Sequence, residues 1–186
     1  GTDVSVGKMF TALAVEQEMK KRGFDADFRA TGQTGIFIAG SGVSIDAVVA
    51  DFISGAVEWL CPENSENHWD IVEGQGSLFN VSYAGVTLGL IHGSQPDALV
   101  VCHEAGRPHM RSMPHFSLID LPTCIDVNLQ AARLTNPDVR CVGAAINTSR
   151  LSEEEGRVFC DKISQEIGLP AVDPLRDGVA SLVDQI

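Results

Sequence analysis

The first eight residues constrain the fold of this chain more than any other stretch. They read GTDVSVGK, a turn with a glycine at each end that closes on Gly7 and Lys8. Glycine permits a tight backbone turn, the successive amides of such a turn point inward, and the N-terminus of the following helix attracts anions. The pattern therefore predicts a phosphate loop (residues 1–8), an element that connects a strand to a helix in an α/β domain.

Two details of the phosphate loop depart from the common G-x-x-x-x-G-K-[ST] pattern. Its spacing is one residue longer, and Met9 stands where a serine or threonine hydroxyl binds Mg²⁺. Thr11 comes two positions too late to replace that hydroxyl. The loop favours a ligand that carries a diphosphate but does not react at phosphorus, such as coenzyme A. An ordinary glycine-containing turn is the alternative.

Composition indicates one globular domain. The 186 residues are 44% apolar, enough for a core, and no apolar run is long enough to span a membrane. A net charge of −12 argues against nucleic acid and anionic membrane as partners, so aimed donors must hold any anionic ligand. The five cysteines lack metal-ligand spacing and are typical of reduced thiols in the cytoplasm. We expect a cytoplasmic homo-oligomer.

Helical and strand-like segments alternate along the chain. The runs DADFRA, WDIVEG, DALVVCHE and RCVGAAIN are typical of parallel strands. The pattern predicts a P-loop NTPase-like, three-layer α/β domain over residues 1–186, with ligands at the carboxyl ends of a mainly parallel sheet. Predicted helices cover residues 8–22, 44–60 with Ser44 as N-cap, and 153–167 between a Ser152–Glu155 capping box and Gly168.

The strand that should lead into the phosphate loop is missing, because Gly1 is the first residue. We expect this strand at the centre of the sheet. The chain is therefore predicted to be the C-terminal part of a longer, two-domain protein.

A glutamate ends the second apolar run. Glu73 is followed by Gly74 and Gly76, which leave space and free backbone donors beside its carboxylate. At the end of a strand this side chain can act as a general base or bind a metal ion. The structural alternative has Glu73 capping the next helix or pairing with Lys8.

The segment RATGQTGIFIAGSG lies between a predicted strand and the predicted helix over 44–60. Its length and polar side chains favour a substrate-binding loop over a flexible connection. Asp46 and Asp51 follow on the helix, and because they are five residues apart we expect at most one of them, Asp46, to point into the site. The polar side chains of the segment are Thr31, Gln33, Thr34 and Ser41.

The segment CHEAGRPHMRSMPH follows the third apolar run. In so acidic a chain, Arg107 and Arg111 are interpreted as forks for a carboxylate or phosphate, with solvated surface charges as the alternative. His103 is a candidate base, and a structural histidine fits equally well. The histidine spacing H-x₅-H-x₅-H matches no zinc pattern, so we predict no metal site. Asn147, which ends the fourth run, is a candidate for reading a nucleotide base.

These motifs together resemble known families. GTDxxVGK followed by VEGxG is similar to dethiobiotin synthetase and its phosphate-loop relatives. A closer resemblance, across nearly the whole chain, is to the C-terminal domain of a family of unknown function whose characterised member is a D-glutamate N-acetyltransferase. The stretches that carry it are GTDVSVGKM, DFRATGQTGI, IDAVVADFISGAVEWL, WDIVEGQGSLF, LGLIHGSQPDALVVCHE and LPAVDPLRDGV.

The closer resemblance implies transfer of an acetyl group from acetyl-CoA to the amine of D-glutamate or a related D-amino acid, and an N-terminal Rossmann-like domain. In this hypothesis Glu73 accepts the proton of the substrate ammonium and Lys8 acts with the loop on the phosphates. The predicted acetyl-CoA site is Gly1, Thr2, Asp3, Val4, Ser5, Val6, Gly7, Lys8, Met9 and Asn147. The predicted substrate site is Thr31, Gln33, Thr34, Asp46, Arg107 and Arg111.

Two alternative functions remain open from the sequence. One is a Mg-ATP-dependent synthetase, in which Glu73 and Asp46 hold Mg²⁺ in place of the missing hydroxyl. The other is a nucleotide-binding module without catalysis, in which Met9 marks an inactive loop.

Overall fold

The computed structural model describes residues 1–186 as an α/β fold with helices on both faces of short parallel strands. The strands are β1 (Asp25–Arg29), β2 (His68–Val72), β3 (Ala98–Glu104), β4 (Arg140–Asn147) and β5 (Ala171–Val172). The helices are α1 (Lys8–Lys21), α2 (Gln33–Ala39), α3 (Ile53–Leu60), α4 (Ala84–Ser94), α5 (Leu121–Ala132), α6 (Glu153–Ile167) and α7 (Ala180–Val183). None of these helices combines the length and apolar character that a membrane span requires.

The strands form two parallel groups. β1 pairs with β2, while β3, β4 and β5 pair in that order, and β2 and β3 are not bonded to each other. The phosphate loop lies between the carboxyl ends of the two groups. The Thr2 amide donates to the Cys102 carbonyl of β3 at 3.0 Å, and the Ser77 hydroxyl, beyond β2, donates to the Gly1 carbonyl at 2.8 Å. The phosphate loop thus lies at the carboxyl ends of the strands, while the predicted binding of ligands there stays a prediction.

Apolar clusters cover both faces of the strands. Neighbouring residues of β3, Val101 and Cys102, belong to different clusters, because successive side chains of a strand point to opposite faces. A strand buried on both faces must be apolar throughout, which explains the continuous runs in the sequence. One cluster includes Val15, Met19, Leu182 and Val183 from α1 and α7, and the other includes Leu121, Cys124, Cys160 and Ile163 from α5 and α6.

The helix that begins after Ser152 is confirmed by its cap. The Ser152 hydroxyl accepts from the Glu155 amide at 3.2 Å, and the Glu155 carboxylate accepts from the Ser152 amide at 2.9 Å. Gly168 ends the helix with φ of 66°. These short-range contacts depend on neighbouring residues alone, so the sequence predicted them correctly.

The predicted helix over 44–60 is wrong in its first half. Residues 45–47 and 50–52 form two short 3₁₀ turns, and Val48 is extended between them with ψ of 135°. The Ser44 hydroxyl donates to Asp46 at 2.7 Å and caps no helix. A tertiary contact explains the broken helix. The Ile45 amide donates to the Thr31 carbonyl at 3.0 Å, and this bond holds the segment beside the end of β1. Only α3 keeps the predicted helical form.

An ion cluster joins the first residues of β1 and β2. The His68 ring, with only 8% of its side chain exposed, lies 3.1 Å from the Asp25 carboxylate and 3.2 Å from the Asp70 carboxylate. Asp27 and Arg29 complete the cluster, and the Arg29 guanidinium lies 2.6 Å from Asp70. Burial lowers the pKa of His68, but the hydrogen bonds to Asp25 and Asp70 outweigh it, so the pKa lies above the ordinary value of 6.5.

We expect His68→Gln to destabilise the protein in a pH-dependent way. A raised pKa in the folded state means that the stabilisation is complete below the ordinary pKa and is lost as the pH rises through the folded-state pKa. Melting temperatures of both proteins, measured from about pH 6 to about pH 9, should differ most at the acid end. His115→Gln, which changes an exposed histidine, is the control. If the difference in melting temperature between the two proteins stays constant with pH, His68 does not stabilise the fold through its charge.

Candidate active site

The backbone amides of the phosphate loop point inward because side chains outside the loop hydrogen-bond to its carbonyl groups. The backbone amides of residues 5–10 donate to no acceptor in the protein. Ser5 and Gly7 have positive φ values of 53° and 103°, which turn successive amides toward a common centre. Such free, convergent donors at the start of α1 form an anion-binding cradle. The Val6 side chain instead lies in the core, so the loop offers its backbone there.

Arg107 is the main clamp on the outer side of the loop. Its Nη1 donates to the Val4 carbonyl at 2.8 Å and its Nη2 to the Ser5 carbonyl at 2.9 Å. The same two nitrogens donate to Asp3, at 2.7 Å, and to Glu104. The side chain is 9% exposed. All four Nη hydrogens thus have protein acceptors, and the guanidinium shapes the loop; its predicted contact with substrate stays a prediction.

Asp3 is the buried carboxylate that pairs with the Arg107 guanidinium. Its carboxylate, which is fully buried, accepts from the Asn80 amide group at 2.9 Å and from the Arg111 backbone amide at 2.7 Å, besides Arg107. Burial acts to raise the pKa of Asp3, but the hydrogen bonds from Arg111, Asn80 and Arg107 outweigh it and hold the pKa below its usual value. Asp3 therefore remains charged and joins three segments of the chain, while its predicted contact with acetyl-CoA stays a prediction.

Lys8 closes the loop from inside. Its ammonium donates to the Asp3 carbonyl at 2.8 Å, and its methylene stem passes Gly74. Burial lowers the pKa of Lys8 below its usual value, while the charge of Asp3 acts in the opposite direction. Glu73 forms no ion pair with Lys8, so that part of the structural alternative does not apply. The ammonium forms no other hydrogen bond in the protein, so its remaining hydrogens can bind an anion.

Glu73 is more buried than its sequence context indicates, with 3% of its surface exposed. One carboxylate oxygen, Oε2, accepts from the amides of Thr31 at 2.9 Å and Gly32 at 3.0 Å. The Thr31 hydroxyl donates to the Glu73 carbonyl at 2.6 Å. A β-carbon on Gly35 would come within 2.3 Å of Oε2, so only glycine lets the chain approach so closely. Oε1 is the oxygen left to meet a ligand.

The predicted substrate loop of fourteen residues is wrong as a loop, because it contains helix α2. Gly32, the N-cap, has no side chain to satisfy the first amides, and the Glu73 carboxylate supplies the acceptor from another part of the chain. The structural alternative for Glu73 was that it caps the next helix or pairs with Lys8. Glu73 does cap a helix, but that helix precedes it in the chain. A long-range cap of this kind leaves no local sequence signal.

The other residues of the predicted substrate site have exposed side chains. Gln33 and Thr34 are exposed on the first turn of α2. Asp46 is exposed in the first 3₁₀ turn, where it accepts from Ser44, and Asp51 lies in the second turn. The Arg111 side chain is exposed and forms no ion pair or hydrogen bond in the protein, and only its backbone amide contacts Asp3, so its guanidinium is free for a ligand.

Asn147 and Met9 lie at two borders of the site. Asn147 faces Glu104 in the register of β3 and β4, and its side chain accepts from the Ser149 amide at 3.0 Å. Met9 is the second residue of α1 and is half-buried, so no hydroxyl stands beside Lys8. Their contacts with a ligand stay predictions.

Several site residues were missed by sequence reasoning. Asn80 and Ser77 anchor the loop from beyond β2, and Glu104 bonds both Arg107 and Arg150. Ser77 follows the VEGQG motif closely, so its place beside Glu73 was a usable signal. Asn80 and Glu104 act across the fold, and no local pattern identifies them.

His103 has contacts that fit a structural histidine. Its Nδ1 lies 3.0 Å from the hydroxyl of the fully buried Thr2, and its ring stacks on Phe159 at a centroid distance of 6.0 Å. Burial lowers the pKa of His103, and the nearby charge of Arg107 acts in the same direction. A neutral ring is therefore favoured, and its predicted role as a base stays a prediction.

Comparison with known proteins identifies the family. A family model described as "Domain of unknown function (DUF1611_C) P-loop domain" matches residues 1–183. The chain belongs to this family. A solved DUF1611 family protein from Anabaena variabilis has the same fold, with a TM-score of 0.94 and 39% identity over all of this chain and 54% of that one. The predicted P-loop α/β fold and the resemblance to a family of unknown function are both confirmed.

Two curated relatives of the DUF1611 chain carry a functional name. A "D-glutamate N-acetyltransferase" from a Pseudoalteromonas species is 60% identical over 183 residues, which cover 98% of this chain and 55% of that protein. A protein of the same name from Tritonibacter scottomollicae is 53% identical over 186 residues, covering all of this chain and 56% of that protein. The chain thus spans little more than half the length of either relative.

We expect Arg107→Lys to weaken ligand binding by the phosphate loop. A lysine has no planar fork and cannot hold two carbonyls and two carboxylates together, so the inward orientation of the amides is lost. Coenzyme A affinity of the whole protein, measured by calorimetry, should fall by about tenfold or more. Arg157→Lys changes an exposed arginine on α6 and serves as the control. Equal affinity in both variants would show that Arg107 does not shape the cradle.

Proposed function

We propose that the protein containing this chain is an N-acetyltransferase that moves an acetyl group from acetyl-CoA to the amine of D-glutamate or a related D-amino acid. The observation that carries the proposal is the pair of relatives named D-glutamate N-acetyltransferase, at 60% and 53% identity over nearly the whole chain. The phosphate loop supports it, because the cradle of free amides is present while Met9 replaces the magnesium hydroxyl.

The donor-binding part of the proposal rests on the cradle. The free amides of residues 5–10 and the Lys8 ammonium suit the diphosphate of coenzyme A, which needs charge compensation but no reaction at phosphorus. These donors are fixed before the ligand arrives, since Arg107 and Ser77 hold the loop carbonyls from outside. Preformed donors avoid the free-energy cost of ordering the loop on binding. Asn147 remains the candidate residue for contacting the nucleotide base of coenzyme A.

The acceptor amine must lose a proton before it can attack the thioester. In the proposal the free oxygen of Glu73, Oε1, takes that proton directly or through one water molecule. The amine nitrogen then attacks the thioester carbonyl carbon. A C–N bond forms, the C–S bond breaks, and the sulfur leaves as the thiol after it takes up a proton. Lys8, close to Glu73 through Gly74, contributes positive charge near the reacting groups.

The carboxylates of the amino acid need cationic or hydrogen-bonding partners. Arg111 is the free guanidinium near the loop, and Gln33 and Thr34 present exposed polar groups beside the Glu73 segment. Thr31 serves indirectly, because its amide and hydroxyl position Glu73. Asp46 lies in the turn that is bonded to Thr31 through Ile45, and in the proposal it attracts the substrate ammonium.

The proposal is tested by thiol release from acetyl-CoA, followed with a thiol reagent, using the whole protein. D-glutamate and L-glutamate are compared, with EDTA present, and a parallel reaction contains Mg-ATP without acetyl-CoA. We expect thiol release with D-glutamate that is unaffected by EDTA. Phosphate release from Mg-ATP without any thiol release would favour the synthetase alternative. Ligand-induced stabilisation without any product would favour the non-catalytic alternative.

We expect Glu73→Gln to lower the turnover number by about 10²-fold or more. The glutamine oxygen can still accept the Thr31 and Gly32 amides, so α2 keeps its cap and acetyl-CoA affinity should change little. Glu58→Gln, an exposed position on α3, is the control. Near-normal turnover of the Glu73 variant would exclude Glu73 as the base and direct attention to His103.

A further inference from the structure

The side-chain amide of Gln75, in the VEGQG segment at the end of β2, has no hydrogen-bond partner in the protein. The residue is half-buried, and its one side-chain contact is with the segment around Gly32. Every fully buried polar side-chain atom of the chain does have a partner, so the Gln75 amide is not fully buried and is accessible to a ligand. A glutamine amide offers such a ligand two N–H donors and one carbonyl acceptor.

The backbone that carries the Gln75 side chain is held by α4. The Gln75 carbonyl accepts from the hydroxyl of the buried Thr87 at 2.8 Å. The next residue, Gly76, has φ of 67°, and a β-carbon there would come within 2.5 Å of the same hydroxyl. Glycine alone permits this close approach in that conformation. The backbone at Gln75 is therefore fixed before a ligand arrives.

The Gln75 amide lies beside the carboxylate of Glu73. A β-carbon on Gly32 would lie 2.4 Å from Nε2 of Gln75 and 3.2 Å from Oε1 of Glu73, so both atoms are close to one point. Neither atom forms a hydrogen bond in the protein, because it is Oε2 of Glu73 that accepts the amides of Thr31 and Gly32. A free donor and a free acceptor therefore stand next to each other.

The space that these two groups share is kept open by Gly32. Its backbone is extended, with φ of −124° and ψ of 159°, a conformation that any residue can adopt. The backbone therefore does not require glycine at this position. A methyl group there would instead occupy the place of the Gln75 amide. The structural reason for the glycine is thus the close approach of the free donor and the free acceptor.

We propose that Gln75 is a substrate-binding residue whose side-chain amide donates to the α-carboxylate of the amino acid. In an α-amino acid the amine and this carboxylate are attached to the same carbon. A substrate whose amine faces Oε1 of Glu73 thus brings its α-carboxylate within reach of a donor beside that oxygen. The assignment rests on the proposed function, in which Glu73 takes the amine proton, and it makes α-amino acids the preferred class of amine.

A neutral donor suits the position beside Glu73. A lysine or arginine there would pair with the Glu73 carboxylate and weaken it as a proton acceptor. A glutamine amide supplies a hydrogen bond to the α-carboxylate and leaves Glu73 free. Hydrogen bonds to charged groups are stronger than those between neutral groups, so loss of this donor should be measurable. Arg111, Gln33 and Thr34 remain the candidates for the side-chain carboxylate of the substrate.

The test compares the whole protein with its Gln75→Leu variant, which removes the amide but keeps a similar volume. The amines are D-glutamate, its γ-amide D-glutamine and its α-amide D-isoglutamine, each measured as a substrate, or as a competitive inhibitor where it is not acetylated. The variant should raise KM for D-glutamate and D-glutamine by about tenfold or more, and the constant for D-isoglutamine by less than about threefold. KM for acetyl-CoA should not change. Gln165→Leu, at an exposed position on α6, is the control.

Each other outcome overturns a different statement. An equal rise for D-isoglutamine, or no rise for D-glutamate, would overturn the assignment of Gln75 to the α-carboxylate. A lower turnover number with unchanged KM would assign the amide to the thioester oxygen and overturn it as well. No acetyl transfer by the unsubstituted protein would overturn the proposed function, and the assignment with it.

A second variant separates binding from packing and decides the question if Gln75→Leu fails to fold. Gln75→Glu keeps the shape of the side chain but places a negative charge where the α-carboxylate should bind. It should therefore raise KM for D-glutamate even more than Gln75→Leu does, while the constant for D-isoglutamine rises less. An unchanged KM for D-glutamate in the Gln75→Glu variant would show that the residue acts through its shape alone and would contradict the assignment.

Discussion

The buried ion pair between Arg107 and Asp3 holds the phosphate loop in the form on which the rest of the site depends. Two charges inside a protein are favourable only when further hydrogen bonds compensate their lost hydration, and here every Nη hydrogen and the carboxylate have partners. Removing one partner would leave a buried charge alone. The pair thereby joins the loop to the segments that follow β2 and β3, and the free amides of the cradle point inward as a result.

The same physical device recurs at other strand ends. The Glu73 carboxylate holds the amides of Thr31 and Gly32, and the Asp173 carboxylate holds the amides of Thr148 at 3.1 Å and Leu175 at 2.9 Å. Burial acts to raise the pKa of Asp173, but these hydrogen bonds and that of the Thr148 hydroxyl hold the pKa below its usual value. Buried carboxylates therefore organise loops at the carboxyl ends of the strands in this acidic protein.

A buried carboxylate of this kind can have a structural role through one oxygen and a proposed chemical role through the other. Glu73 is both a cap for α2, through Oε2, and the proposed proton acceptor, through Oε1. A carboxylate fixed by two backbone amides is well oriented, which is what proton transfer over a short distance requires. The helix it caps presents Gln33 and Thr34, so the proposed base and the proposed substrate contacts are positioned by one set of hydrogen bonds.

Local sequence patterns predicted the elements whose causes are local. The apolar strands and the Ser152 capping box each depend on residues a few positions apart, whereas the phosphate loop has a local motif but is held by Arg107 and Ser77 from elsewhere in the chain. Helix α2 and the broken segment over residues 44–60 were predicted wrongly because their hydrogen-bond partners, Glu73 and Thr31, come from elsewhere in the chain. Val48 and Val49 have helical spacing, but this tertiary bonding extends the backbone between them.

The sequence by itself thus determined the α/β class, the phosphate-loop motif and the absence of a hydroxyl at Met9, since these follow from residue type and short spacing. Only the tertiary structure decided what the charged groups do. It made Arg107 a clamp on the loop, where its expected contact with substrate stays a prediction, it buried Glu73 as a cap, and it left the Arg111 side chain without a partner in the protein. The physical reason is that a charge acts on whatever lies within hydrogen-bond distance, and folding alone determines those distances.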